Sequence, residues 1–110
     1  MRRGVVAALS AAALAALPLA CGGVGEAERE AAVAAAGAAY AQARAAGIEL
    51  SNGPCIADPL EGMPTWVVDI AHDPREDIDD DPANQCSSYR SGDADHFVEL
   101  DPSGNLIRAR

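Results

Sequence analysis

Trp66-Val67-Val68-Asp69-Ile70-Ala71 (WVVDIA) is the stretch on which the fold turns. Trp66, Val68 and Ile70 fall on one side of an extended chain, and Val67, Asp69 and Ala71 on the other. A period of 2 in apolar residues marks a strand with a buried face. His96–Leu100 (HFVEL) is a second strand, with Val98 and Leu100 on one face. Asp101-Pro102-Ser103-Gly104-Asn105 is a turn signal, after which Leu106–Arg110 closes as a further strand. Upstream, the turn segments Ser51–Pro54 and Asp58–Pro64 bracket a short strand at Cys55–Ala57. Cys86–Arg90 reads as another short strand, followed by a turn over Ser91–Asp95.

Ahead of the strands, Glu26–Ala46 is Ala-rich and predicts a helix of about five turns. Glu26, Glu28 and Glu30 lie near its start and Arg44 near its end, matching the helix dipole. Gly47 fits the left-handed position that stops it. Val33 and Tyr40 share a face, with Gly37 between them, where a missing side chain would let the helix sit close to a sheet. One helix followed by three to five antiparallel strands gives a small α+β domain over residues 26–110, with the helix on one face of a meander. Trp66 is expected at the centre of the packing.

The segment His72–Gln85 is polar, acidic and broken by Pro74 and Pro82, so it predicts a loop. Asp77, Asp79 and Asp81 alternate as at the start of a calcium loop, but Pro82 and Ser88 stand where the glycine and the closing glutamate belong. With Asp73 they make residues 73–81 a candidate Ca²⁺ site; the competing reading is a solvated acidic loop. If the WVVDIA and HFVEL strands pair antiparallel, His72 and His96 fall at one end of the sheet beside Asp73, Asp93 and Asp95. Such a set suits a metal or acid–base work, whereas the competing reading is two polar strand ends. No GxSxG, P-loop or dinucleotide-binding glycine pattern is present, and neither Ser87 nor Ser88 has an elbow context. No catalytic residues and no resident cofactor are expected.

Residues 1–23, MRRGVVAALSAAALAALPLACGG, place Arg2 and Arg3 before an uncharged run from Val5 to Ala20. This is the layout of a secretory signal, and the run is short for a membrane span, which needs about 20 residues. Leu17-Pro18-Leu19-Ala20-Cys21 followed by two glycines resembles the lipobox of bacterial lipoproteins. The resemblance implies that residues 1–20 are a cleaved signal peptide and that Cys21 is acylated on its thiol. Residues 21–25 are then a short tether, and the protein is extracytoplasmic and lipid-anchored to the cell membrane. Secretion with an unmodified Cys21 is the alternative.

With Cys21 so used, Cys55 and Cys86 remain as an even pair in an oxidising compartment, and a disulfide between them is expected. Neither a CxxC nor a Cys/His spacing favours metal ligation by the pair. The domain that remains has about 90 residues and four aromatics, Tyr40, Trp66, Tyr89 and Phe97. So small a core benefits from a covalent staple.

The chain carries 8 basic residues, all arginine, against 17 acidic ones, a net charge of −9. Removing Arg2 and Arg3 leaves six arginines and a net charge of −11. This excludes nucleic-acid binding through phosphate contacts and disfavours adsorption to anionic headgroups.

An Ala-rich helix ending in glycine, then WVVDI, then HFVELDPSGNLIR as strand, turn and strand, resembles a PepSY module over about residues 27–110. It is also similar to half of a cystatin-like fold. The resemblance implies a non-enzymatic envelope module that binds a protein or peptide partner, with peptidases as the partner class. A metal-binding envelope protein, using loop 73–81 or the His72/His96 end, is the alternative expectation. The Cys55/Cys86 pair and the acidic insertion are additions to the PepSY pattern.

Overall fold

The computed structural model describes residues 24–110. The expected signal segment 1–20 and the expected acylation site Cys21 lie outside the described residues. Helix α1 spans Glu26–Ala45. Its end forms a Schellman motif: Gly47 N–H donates to Arg44 C=O at 3.0 Å and Ile48 N–H to Ala43 C=O at 3.0 Å. Gly47 has φ 75°, so the expected helix stop is present. The buried stripe of α1 consists of Ala32, Ala36 and Ala43. Gly37 is exposed, and no group would meet a Cβ there. Close approach to the sheet thus comes from alanine methyls, and the expected role of Gly37 does not hold.

Four strands form one sheet in the order β1 (Cys55–Ala57), β2 (Trp66–Ile70), β3 (His96–Leu100) and β4 (Leu106–Ala109). The pairs β1/β2 and β3/β4 are antiparallel, but β2 and β3 run parallel, with Trp66 opposite His96 and Asp69 opposite Glu99. The fold is therefore one long helix on a four-stranded mixed sheet. A fully antiparallel meander was the expectation. Parallel neighbours need a crossover of a dozen or more residues, and the chain from Ala71 to Asp95 supplies it. The acidic segment belongs to this crossover and is folded into two 3-10 turns, Asp77–Asp80 and Pro82–Asn84.

The expected strand at Cys86–Arg90 is instead a short helix, α2 (Ser87–Ser91). Its first turn finds a partner across the chain: the Asp58 carboxylate accepts from Ser88 N–H at 3.0 Å and from Ser87 Oγ–H at 3.3 Å. Gly92, at φ 89°, ends the helix. Cys86, just before α2, is disulfide-bonded to Cys55 at the start of β1.

The main core lies between α1 and one face of the sheet. Trp66, Val68 and Ile70 meet Val98 and Leu100 there, with Leu50, Leu60 and Ala109 closing the ends. Trp66 is central, as expected, and 1% exposed. Burying its indole requires a partner for the N–H, and Glu28 Oε2 accepts it at 2.8 Å. Tyr40 anchors the helix to the last turn by donating its hydroxyl to Pro102 C=O at 2.8 Å.

Candidate functional site

The opposite face of the sheet has no long helix over it. A second, smaller cluster of Val67, Cys86 and Ala94, flanked by Cys55 and Phe97, covers part of it. The rest is a groove of about 540 Å³. Val67 and Asp69 of β2 and Phe97 and Glu99 of β3 form its floor. Arg75, Gln85, Tyr89 and Arg90 of the crossover form one wall, and Arg108 and Arg110 at the β4 end form the other. A groove of this size is in the range that holds a small ligand or a few residues of a peptide.

Charge is arranged on the floor. Glu99 is 6% exposed. Its Oε2 accepts from Arg75 at 3.1 Å and its Oε1 pairs with Arg108 at 3.1 Å, so both oxygens are held by guanidinium groups. Asp69 stands beside Glu99 in the parallel register. Its Oδ1 is buried and has no hydrogen-bond partner among the described residues. Burial, reinforced by the neighbouring Glu99 charge, pushes the Asp69 carboxyl up to about 8. At neutral pH this group is protonated and offers a hydroxyl donor.

The guanidinium groups differ in commitment. Arg75 also binds Asp80 at 2.9 Å. Arg90 and Arg110 form no ion pair among the described residues. The Arg110 guanidinium lies over the Phe97 ring, 5.7 Å from its centroid, and Tyr89 packs edge-on against the same ring at 5.2 Å. The groove thus combines free cations with an aromatic wall.

Of the residues singled out in the sequence as metal ligands, His72 and Asp79 meet, but the set as a whole is not brought together. Parallel pairing puts His96 beside Trp66 at one end of the strands, with ring centroids 4.9 Å apart. His72 follows β2 at the other end, so a common His72/His96 site does not exist. Asp79 is 1% exposed and turned inward. Its Oδ2 accepts from His72 N–H and from Glu76 N–H, both at 2.9 Å, and its Oδ1 lies 3.0 Å from His72 Nδ1. Burial alone would raise the Asp79 carboxyl, but the two backbone donors and the His72 side chain hold it below the usual carboxylate value. An ionised Asp79 has no proton to give, so His72 Nδ1 carries the shared hydrogen.

Asp81 accepts from Ala83 N–H at 3.0 Å and starts the second 3-10 turn. Asp73 and Asp77 are exposed. Among the described residues, one set of three potential ligands converges within metal reach: Cys55, Asp58 and Cys86. Its two sulfurs are bonded to each other, which removes their thiolates. Asp79, Asp80 and Asp81 are thus engaged in a cap, an ion pair and a turn while Asp73 and Asp77 face solvent, and the Ca²⁺ expectation for Asp73, Asp77, Asp79 and Asp81 finds no assembled site among the described residues.

Reading the sequence did not reveal the groove. Its signal lies in the alternate residues of three strands, Val67/Asp69, Phe97/Glu99 and Arg108/Arg110, which share a face only once β2 and β3 are placed side by side. No protein-family model matches the chain, and no curated protein or solved structure matches it either.

Proposed function

We propose that the chain is an exported, lipid-anchored, non-enzymatic module of the cell envelope that binds a protein or peptide partner on the face of its sheet opposite helix α1. The supporting observation is the asymmetry of the two faces. Helix α1 and its alanine stripe cover one face, leaving a cleft of about 440 Å³ between alanines of α1 and the β1 edge, while the other keeps an open groove with aromatic and unpaired cationic walls. The signal layout and Cys21 supply the location, and the PepSY resemblance supplies the partner class. Among the described residues no helix is long and apolar enough to cross a membrane; attachment on this reading rests on the acylated Cys21.

Photo-crosslinking in native membranes tests the binding face. Benzoylphenylalanine replacing Tyr89, in the groove, is expected to give a discrete adduct. The same probe replacing Ala41, on the exposed side of α1, is expected to give none. Equal labelling from both positions, or none from Tyr89, would contradict the assignment.

A further inference from the structure

The charge of this molecule is sharply partitioned. Six arginines lie within residues 24–110, and four of them, Arg75, Arg90, Arg108 and Arg110, line the groove. Only two of the 17 acidic residues, Asp69 and Glu99, share it. Everything outside the groove is strongly negative, with Arg29 and Arg44 as its only cations among the described residues. A chain of net charge −9 has therefore concentrated its positive charge in one concavity.

We propose that this groove binds a peptide carboxylate, with Arg90 and Arg110 as its cationic contacts and the Tyr89/Phe97 wall receiving the neighbouring apolar side chain. The inference rests on the binding-module reading and names its ligand chemistry. Arg75 and Arg108 are engaged by Glu99 and hold the floor rigid. Arg90 and Arg110 are the guanidinium groups left to meet a ligand. Guanidinium forks match a planar carboxylate in two parallel hydrogen bonds.

Asp69 adds a matching donor. Its carboxyl, protonated through burial beside Glu99, can give a hydrogen bond to an incoming oxygen. A doubly charged phosphate fits less well, because its second charge would lie close to the Glu99 carboxylate. The acidic surroundings limit the ligand further. An acidic peptide longer than the groove would be repelled outside it, so the ligand is negative locally and neutral or basic beyond.

The carboxylate can come from a chain terminus or from an acidic side chain, and a titration separates the two. Amide shifts of the folded domain are followed while adding N-acetyl-Ala-Phe with a free carboxylate, its C-terminal amide, and N-acetyl-Glu-Phe-amide. Saturating shifts at Tyr89, Phe97 and Glu99 are expected, with dissociation constants of roughly millimolar order. At least one carboxylate-bearing peptide should bind, and the one that binds more tightly identifies the source. The amide without any carboxylate should bind about tenfold more weakly.

Arg90→Gln and Arg110→Gln should each weaken binding by about tenfold, with the amide spectrum showing that the fold is kept. Arg44→Gln, at the end of α1, removes the same charge elsewhere and should change nothing. Equal binding of the plain amide, equal binding of inorganic phosphate, or indifference to Arg90→Gln and Arg110→Gln would each overturn the assignment. Absence of any groove shift with retained Tyr89 crosslinking would overturn the ligand class and leave the binding face standing. Loss of both would remove both.

Discussion

Replacing Cys55 or Cys86 with serine is expected to lower the unfolding free energy by about 2–4 kcal/mol. The bond joins the start of β1 to the start of α2 across a sequence separation of 31. In the loop-entropy account a closure of that length removes roughly 3–4 kcal/mol of freedom from the unfolded chain. The folded side matters as well. The crossover rests on the face opposite α1 through a small cluster, Val67, Cys86 and Ala94, and through the Asp58 contacts to α2. Little apolar burial is available to replace the covalent tie. The double variant should cost scarcely more than either single one, because the two sulfurs form one interaction. Urea unfolding of the three variants measures this. Losses below about 1 kcal/mol, or additive losses in the double variant, would show that the bond does not hold the crossover.

Asp79→Ala is expected to cost about 1–3 kcal/mol, since it removes the acceptor of the partly buried His72 and Glu76 amides and frees the His72 ring. Asp79→Asn, which keeps one acceptor oxygen, should cost less. The pH dependence has a definite sign. The folded-state carboxyl titrates below its ordinary value of 3.8. Its contribution is therefore complete above that value and is lost as the pH falls through the lowered one. The acid limb of wild-type stability should accordingly be steeper than that of Asp79→Asn. Gly53 reports on the same contact. It sits at φ 69°, and a Cβ there would lie 2.5 Å from Asp79 Oδ1 and 3.1 Å from Ile70 C=O. Unchanged melting of Asp79→Ala, or an Asp79-dependent rise in melting temperature on adding Ca²⁺, would contradict the structural role given to this carboxylate.

The helix, its glycine stop, the clearest strands and the inward set Trp66, Val68, Ile70, Val98 and Leu100 were legible from periodicity alone. So was the Cys55–Cys86 pair, once Cys21 was assigned to the signal. Strand direction was not legible. Periodicity reports which side chains share a face of one strand, but it says nothing of how two strands are oriented. The length of residues 71–95 was the available clue, since a connection that long suits a parallel crossover better than a hairpin. The misplacement of His72 and His96 followed from this one point. The acidic segment misled for a different reason. Alternating carboxylates in a sequence look alike whether they face a cation or cap turns, and only the inward rotation of Asp79 onto two backbone amides distinguishes the cases. The helix at Ser87–Ser91 is not legible in Cys86–Arg90 alone, because the Asp58 carboxylate that holds its first turn is distant in sequence.

The claim beneath the rest is that this domain works outside the cytoplasm, tethered through Cys21, and forms its disulfide there. The most direct measurement is the mass of the mature protein taken from the membrane fraction, with the state of its N-terminus and its thiols. The account predicts a chain beginning at Cys21, carrying acyl mass on that residue, with Cys55 and Cys86 joined; Cys21→Ser should leave the precursor uncut. A chain that keeps Met1, or one starting elsewhere with an unmodified Cys21 and both remaining thiols free, would contradict it.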